Sequence, residues 1–180
     1  GSGKGGLGGL AAPLAELGWG LVSSGGTATF LQEQGIQVTT VEDVTQAPEM
    51  LGGRVKTLHP RIHAGILARR DDPGHIETLA EHDISPIDLV CVNLYPFATV
   101  ASERGKTEAE VVEMIDVGGP SMLRAAAKNF SHVTVVSSPD PYQTVVDELR
   151  EHGDKTEATR RPPAPAPPAP PAGCGPTARQ

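Results

Sequence analysis

The chain has 180 residues, a formal net charge of −7 and an aromatic content of 3%. This length suits one domain of ordinary size, and the acidic balance argues against a general nucleic-acid-binding protein, because such domains usually carry an excess of basic residues. No apolar run approaches the roughly 18 residues of a membrane span, and the glycine-rich N-terminus lacks the pattern of a signal peptide.

Cys91 lies in an apolar run and Cys174 near the C-terminus. Such unlike positions do not indicate a disulfide framework, so we expect a cytoplasmic location, where thiols stay reduced.

The first half of the chain predicts short alternating helices and strands. Residues 10–17 have a weak helical pattern, since Pro13 and the glycines before it lower helix propensity. Residues 20–23 predict a short strand, and a helix follows until Gly35 ends it. Residues 37–41 predict another short strand. Because nothing apolar precedes the first helix, we expect the strand that normally opens such a sheet to be missing.

The second half continues this alternation. Residues 88–94 are the clearest predicted strand, because they are apolar on both faces, as a buried parallel strand is. The other predicted elements are helices over residues 75–81, 107–115, 121–128 and 142–151 and a strand over residues 132–136. The β/α order predicts a mostly parallel sheet with helices on its faces, and such folds bind ligands at the carboxyl ends of their strands. We expect one folded domain over residues 1–153 and an extended, disordered Pro/Ala-rich tail over residues 154–180.

The stretch Ser23-Ser24-Gly25-Gly26-Thr27 joins a predicted strand to a predicted helix. Glycines let a ligand approach the backbone closely. The exposed N–H groups of a helix N-terminus attract a phosphate, and Ser and Thr hydroxyls add further donors. A tight strand–helix turn without a ligand is the alternative, and the Ser/Thr/Gly composition favours phosphate binding over it.

Residues 52–70, GGRVKTLHPRIHAGILARR, are cationic in an otherwise acidic chain. Pro60 and the two leading glycines argue against an ordinary amphipathic helix, so a loop is predicted. In an extended loop Arg54 and Lys56 point the same way, with Thr57 beside them. Such a pair grips an anion or stabilises developing negative charge. Taken alone, however, the stretch is better interpreted as a solvated basic loop.

Further polar residues fall at the ends of predicted elements. Asn93 and Tyr95 end the clearest strand, at the edge where ligands bind, although a strand exit with a surface tyrosine is the alternative. Asp116 precedes Gly118-Gly119-Pro120. Its carboxylate is placed either to accept a proton or orient an amide, or to cap the next helix. Lys128 ends that helix, where interaction with the helix dipole is a sufficient explanation.

Four separated stretches carry a family resemblance: LVSSGGTA, GGRVKTLHPRIHAGILARR, PIDLVCVNLYPF and IDVGGPSMLRAAAKN. In this order they closely resemble the IMP cyclohydrolase domain of the bifunctional transformylase/IMP cyclohydrolase family of purine biosynthesis, over about residues 2–151. The resemblance implies a methylglyoxal-synthase-like α/β fold, a three-layer sandwich with a mostly parallel sheet. It also implies closure of 5-formamidoimidazole-4-carboxamide ribonucleotide to IMP plus water, with no metal or organic cofactor.

The resemblance also assigns roles by position. It implies catalytic roles, with oxyanion stabilisation and proton transfer among them, for Lys56, Tyr95, Asp116 and Lys128. It implies contacts with the phosphate or the rest of the substrate for Ser2, Lys4, Ser24, Gly25, Gly26, Thr27, Arg54, Thr57, Asn93, Gly118 and Gly119.

The chain departs from the family pattern near its N-terminus. The family usually opens with a strand and a Ser-x-x-Asp-Lys-Thr-Gly-like loop, where this sequence has Ser2-Gly3-Lys4-Gly5-Gly6. A catalytically impaired phosphate- or nucleotide-binding regulatory module of the same fold is therefore the main alternative, and methylglyoxal synthase is a weaker one, because the TLHP and NLYP motifs fit the cyclohydrolase.

The expected partner is a small nucleotide substrate rather than nucleic acid or membrane, with a homodimer possible. Without the transformylase domain, formyl transfer is not expected.

Overall fold

The computed structural model of the chain describes residues 4–93, 107–113 and 115–152. The helices are α1 Lys4–Glu16, α2 Gly25–Glu33, α3 Val41–Thr45, α4 Pro60–Leu67, α5 Pro73–Glu81, α6 Glu108–Glu113, α7 Gly118–Lys128 and α8 Tyr142–His152, and Leu51–Gly53 form a single 3-10 turn. The strands are β1 Val22–Ser23, β2 Thr39–Thr40, β3 Leu89–Cys91 and β4 Thr134–Val136. The predicted α/β alternation is confirmed. The proposed tail, residues 154–180, lies outside the described part of the chain, so that prediction stays as it was.

The strands form two parallel pairs. Val22 of β1 pairs with Thr39 of β2, and Val90 of β3 pairs with Val135 of β4. Within the described residues the two pairs are not joined into one sheet, and no strand precedes α1. The parallel pairing agrees with the sequence, while the continuous sheet that the sequence suggested is interrupted between β1 and β3.

Helices cover both faces of the β3–β4 pair, which makes three layers. On one face a buried cluster joins the pair to α1 and α8, and its members are Leu10, Leu14, Val136, Tyr142, Val145, Val146 and Leu149. On the other face a second cluster joins it to α4 and α7, and its members are Val41, Ile62, Ile66, Val90, Ala125, Ala126 and Val133. Successive strand residues therefore contribute to opposite cores, as the two-residue period of a strand requires.

Helix α3 begins at Val41, the last residue of the strand predicted over residues 37–41, and β2 itself occupies only Thr39–Thr40. The Oγ1 atom of Thr40 accepts a hydrogen bond from the backbone N–H of Asp43 at 3.1 Å, and the Asp43 carboxylate accepts one in return from the Thr40 backbone. This reciprocal capping box starts a helix at Val41. The prediction was wrong there because the Thr-x-x-Asp signal was overlooked.

The loop predicted over residues 52–70 is a loop only in its first part, because α4 occupies residues 60–67. Pro60 stands in the first turn, where its missing N–H costs nothing. His59 caps the helix through its Nδ1 atom, which accepts from the Arg61 backbone N–H at 3.2 Å. Ile62 and Ile66 are 3% and 1% exposed, so the helix has an apolar face that lies on the core.

Helix α1 begins at Lys4, well before the helix predicted over residues 10–17. The glycine-rich start, which the sequence suggested would be a loop, is helical despite its low helix propensity. Leu10 and Leu14 are 2% and 3% exposed, so burial against α8 and α2 compensates for the glycines and for Pro13 inside the helix.

The described helices also bear on two classes of function. None of them is long and apolar enough to cross a membrane. Among the described residues no group of three or more His, Cys, Asp or Glu side chains is arranged to hold a metal ion.

Candidate active site

A cleft of about 1890 Å³ opens between the two strand pairs. The facing edges of both pairs line it, with residues 21–23 on one side and residues 89–93 on the other. The candidate residues that line the same cleft are Ser24, Thr27, Arg54, Lys56, Thr57, Asn93, Asp116, Gly118 and Gly119. The structure thus brings together side chains that the sequence placed in four separate stretches.

The N-terminus of α2 forms one end of the cleft. Ser24 is the residue before the helix, in extended conformation, and its hydroxyl makes no capping hydrogen bond to the described first turn. Gly25 follows with φ of +53°, a conformation that side-chain-bearing residues seldom adopt. The Ser24 hydroxyl and the positive end of the helix dipole are therefore available to an anionic group in the cleft.

A tight turn carries Lys56 to this helix end. Residues Met50 and Val55 pair across it through an antiparallel bridge, which sets Glu49 opposite Lys56. The Lys56 Nζ atom lies 2.8 Å from Glu49 Oε2. We call residues 49–57 the lysine turn.

Gly53 allows the Lys56–Glu49 ion pair to lie over the turn. Its φ is +93°, and a Cβ atom there would lie 2.7 Å from Glu49 Oε1 and 2.9 Å from Lys56 Cε. The left-handed backbone conformation strains any residue that carries a side chain here, and a Cβ atom would displace the ends of the Glu49 and Lys56 side chains. The glycine therefore leaves room for the ion pair beside the turn.

Two neighbouring side chains of the lysine turn connect the N-termini of two helices. The Lys56 Nζ atom lies 3.4 Å from where a Cβ of Gly25 would stand, at the start of α2. Thr57 Oγ1 lies 2.5 Å from the corresponding position at Gly118, at the start of α7. Each glycine lets its helix end approach the turn, so Lys56 and Thr57 lie between two helix N-termini.

Asp116 stands at the α7 end of the cleft. Its Oδ1 atom accepts a hydrogen bond from the Gly119 backbone N–H at 2.9 Å. A Cβ atom on Gly119 would collide with the Asp116 carboxylate and would lie 2.8 Å from Val92 Cγ1. Asp116 therefore caps the helix and also faces the cleft, which combines the two roles that the sequence left open.

Asn93 belongs to a neutral hydrogen-bonded group on the β3 side of the cleft. The Tyr142 hydroxyl donates to Asn93 Oδ1 at 3.1 Å, and the same hydroxyl lies 3.3 Å from Cys91 Sγ. Burial, followed by the hydrogen bond with Cys91, raises the pKa of Tyr142 to about 12. Burial also raises the pKa of the Cys91 thiol. We call Cys91, Tyr142 and Asn93 the tyrosine relay.

Arg54 occupies a more open position than Lys56. Its guanidinium pairs with both carboxylate oxygens of Glu113, and the Nε–Oε2 distance is 3.2 Å. The two side chains are 62% and 58% exposed, so water screens this pair strongly. Arg54 lines the cleft but is held less firmly than Lys56.

Six candidate residues are not among the described residues that line the cleft. Gly25 and Gly26 begin α2 at the end of the cleft but are not part of its lining. Lys128 is exposed at the opposite end of the 11-residue helix α7 from Gly118, a rise of about 15 Å at about 1.5 Å per residue. Lys4 lies in the first turn of α1 rather than in a loop. Ser2 and Tyr95 lie outside the described residues. The roles that the family resemblance implies for these residues, and for the candidate residues that do line the cleft, remain predictions.

Sequence reasoning missed three residues that hold the site together: Glu49, Glu113 and Tyr142. Glu49 had a signal, because the Gly52-Gly53 pair predicts a tight turn in which residues 49 and 56 lie opposite each other. Glu113 and Tyr142 had none, since each reaches its partner only through the tertiary fold.

Known families match most of the chain. The model of the MGS-like domain matches residues 6–121, and that of the AICARFT/IMPCHase bienzyme matches residues 126–166. The crystal structure of ForH has a TM-score of 0.76 and 38% sequence identity, covering 87% of this chain and 82% of that chain. These similarities confirm the methylglyoxal-synthase-like three-layer fold expected from the sequence.

Curated relatives share the same part of their sequence with this chain. The bifunctional purine biosynthesis protein PurH of Listeria welshimeri is 56% identical over 160 residues, which is 89% of this chain and 31% of that protein. PurH of Lacticaseibacillus paracasei is 60% identical over 148 residues, which is 82% of this chain and 29% of that protein. The chain therefore spans less than a third of the length of these relatives, and the family resemblance noted in the sequence is confirmed.

Proposed function

From the premise that the chain belongs to the family of MGS-like domains, we propose that it is an IMP cyclohydrolase domain of purine biosynthesis. The observation that carries this proposal is the position of Lys56 and Thr57 between the N-termini of α2 and α7. Such a site holds an anion at one helix end and a polar ring at the other, as a nucleotide with a reacting base requires. The similarity to PurH supports the assignment.

The substrate is oriented by the chemistry of the two helix ends. The 5′-phosphate lies at α2, where Ser24, Gly25, Gly26 and Thr27 surround the helix start. The base lies at α7, against the backbone of Gly118 and Gly119 and beside Asp116, which faces the cleft. This orientation puts the reacting groups of 5-formamidoimidazole-4-carboxamide ribonucleotide next to Lys56.

Ring closure is intramolecular. The carboxamide nitrogen attacks the formyl carbon, so one C–N bond forms and the formyl oxygen gains negative charge. The C–O bond then breaks and that oxygen leaves as water, with one proton from the carboxamide nitrogen and one from the formamide nitrogen, so that the bond between the formyl carbon and the formamide nitrogen becomes double. Holding the two groups in the reactive arrangement contributes roughly 7–11 kcal/mol in favourable cases.

Two residues supply the charge stabilisation and the proton transfer. The Lys56 ammonium donates a hydrogen bond to the formyl oxygen as its charge develops. The Asp116 carboxylate orients the carboxamide nitrogen and accepts a proton from it. Glu49 Oε2 lies 2.8 Å from Lys56 Nζ, so the negative charge of the substrate competes with this carboxylate for the ammonium group.

The test is a spectrophotometric assay of IMP formation from the formylated ribonucleotide, on wild type and Lys56→Ala. We expect Lys56→Ala to lower kcat about 10²- to 10³-fold, the usual cost of removing an oxyanion donor. Arg150→Ala is the matched control, because it also removes a cation paired with a carboxylate, Glu16, at 3.9 Å. Its kcat should stay within about twofold of wild type.

The outcomes separate the two candidate functions. If the wild-type chain is folded but forms no IMP, the proposal that it is an enzyme is wrong. If such a chain still binds IMP in a calorimeter, the regulatory nucleotide-binding module takes its place.

The proposal includes a nucleotide as the only small-molecule partner, a homodimer, and a location in the reducing cytoplasm. The thiol of Cys91 is free, in keeping with that location. Sedimentation velocity at micromolar concentration tests the dimer, and a single species with the mass of one 18.7 kDa chain excludes it.

A further inference from the structure

We propose that Tyr142 is a positioning residue that locks the amide of Asn93, so that Asn93 offers the cleft an N–H donor and selects a hydrogen-bond acceptor on the ligand. The inference rests on the proposed nucleotide site and adds to it. It assigns a role to a residue outside the four motifs that carry the family resemblance, and it gives Asn93 a defined hydrogen-bonding polarity.

Strand geometry brings the three members of the tyrosine relay together. Cys91 and Asn93 are two residues apart at the end of β3, so their side chains leave the same face of the strand. Tyr142 opens α8 on that face and is 6% exposed. Its hydroxyl lies between the other two, 3.3 Å from Cys91 Sγ and 3.1 Å from Asn93 Oδ1.

The order of the hydrogen bonds follows from the number of protons. A phenol has one proton, and in Tyr142 it is donated to Asn93 Oδ1. The contact with Cys91 is then satisfied by the thiol as donor to the phenol oxygen. The relay therefore runs from the thiol to the phenol to the amide oxygen.

This order leaves the amide nitrogen of Asn93 for the ligand. No described residue accepts a hydrogen bond from its Nδ2 atom, and Asn93 lines the cleft while Tyr142 stands behind it. An unlocked asparagine can turn its amide to present either a donor or an acceptor. With Oδ1 held by Tyr142, Asn93 presents its donor, which fits a carbonyl oxygen or a ring nitrogen and disfavours an amino group.

The relay keeps its protons over the whole neutral range. Because burial raises the pKa of both the Cys91 thiol and the Tyr142 phenol, both groups remain protonated donors there. The lock is consequently present at any pH at which the enzyme would work and fails only under alkaline conditions.

The test compares Tyr142→Phe, Asn93→Asp and the double variant by calorimetric Kd for IMP and by KM and kcat for ring closure. Asn93→Asp keeps an acceptor for Tyr142 but removes the donor, so we expect Kd and KM to rise about tenfold or more. Tyr142→Phe keeps the donor but frees the amide to turn, so we expect a rise of about 3- to 10-fold with a smaller change in kcat.

The double variant distinguishes positioning from simple support of the fold. If Tyr142 acts through Asn93, removing it has no further effect once the amide is gone, and the double variant should bind IMP within about twofold of Asn93→Asp. Multiplicative losses in the double variant would overturn the proposal, because they mean that Tyr142 acts independently of Asn93.

A spectroscopic readout tests the lock without any ligand. The side-chain amide signals of Asn93 in an ¹⁵N–¹H NMR spectrum are assigned by their loss in Asn93→Asp, and they should shift clearly in Tyr142→Phe. Unchanged signals, with IMP binding also unchanged, overturn this inference alone. A wild-type chain that neither binds nor forms IMP overturns the proposed function, and the inference with it.

Discussion

The two sides of the cleft hold their polar groups in opposite ways. In the lysine turn, charged side chains pair with carboxylates near the surface, where Lys56 is 25% and Glu49 39% exposed. In the tyrosine relay, neutral groups are hydrogen-bonded around a phenol that is 6% exposed. The lysine turn therefore places a charged group at the cleft, and the tyrosine relay orients a neutral amide group.

This difference in exposure and charge predicts which side of the cleft should change its contacts when a ligand binds. An exposed ion pair contributes little net stability and is screened by salt, so Lys56 can leave Glu49 for an anionic ligand at small cost. The Tyr142 hydroxyl belongs to a residue that is only 6% exposed, so breaking its hydrogen bonds costs more, because water reaches that hydroxyl poorly. We therefore expect the lysine turn to rearrange on binding and the tyrosine relay to stay as it is.

The largest effect should come from Gly119→Ala, which disturbs the point where the two sides meet. The new methyl group collides with the Asp116 carboxylate and lies against Val92, the residue between Cys91 and Asn93. We expect a loss of about 1–3 kcal/mol in the free energy of unfolding, measured by urea denaturation, together with a large loss of IMP formation.

Gly9→Ala is the matched control for that experiment. Gly9 lies inside α1, and no described atom is within 4 Å of a Cβ built there. A methyl group should stabilise the helix by about 0.5–1 kcal/mol. The two substitutions thus have opposite expected signs, and equal effects would contradict the close packing described at Gly119.

A smaller effect is expected from Glu49→Gln, which removes a charge from the lysine turn and keeps the side-chain shape. Without the carboxylate, an anionic ligand no longer competes for Lys56, so the Kd for IMP should fall about 2- to 5-fold at low salt. The difference should fade at about 1 M salt, where the Debye length is about 3 Å.

Glu16→Gln serves as the control for Glu49→Gln, since Glu16 also pairs with a cation, Arg150, but that cation does not line the cleft, whereas Lys56 does. It should leave the Kd within about twofold of wild type. Weaker IMP binding by Glu49→Gln would show that Glu49 mainly positions Lys56 and that the turn does not rearrange.

The smallest effect is expected from Arg54→Ala. Its ion pair with Glu113 is more than half exposed on both sides, so the free energy of unfolding should change by less than about 0.5 kcal/mol. The KM for the nucleotide should rise about threefold, as for a screened contact with an anion. A stability loss above 1 kcal/mol in thermal and urea unfolding would show that Arg54 is part of the packed structure.

Local signals in the sequence were sufficient for the elements that depend on neighbours along the chain. The Gly118-Gly119 pair does stand at a helix start, and the strand that ends at Cys91 is where its apolar run predicted. Ser24 and Asp116 were also found from local signals, because each precedes a helix start. Lys56 was not, because its stretch alone was better interpreted as a solvated basic loop and only the family resemblance assigned it to the site.

Local signals in the sequence could not predict contacts between segments that are far apart along the chain. Thr57 contacts Gly118 only because the tertiary fold brings their segments together. Neither of the two sequence motifs indicates this contact. The same reason explains α1, whose glycines predict a loop until the burial of Leu10 and Leu14 is known. At α4, Pro60 was interpreted as a helix breaker when its position favoured a helix start.

The interruption between β1 and β3 has a consequence for the behaviour of the protein in solution. The edges that face the cleft are not hydrogen-bonded to each other within the described residues, so their amide protons should exchange with solvent faster than those between β3 and β4. Open strand edges also recruit strands from other molecules. The cleft that we propose as the nucleotide site is thus also where concentrated chains are expected to begin to aggregate.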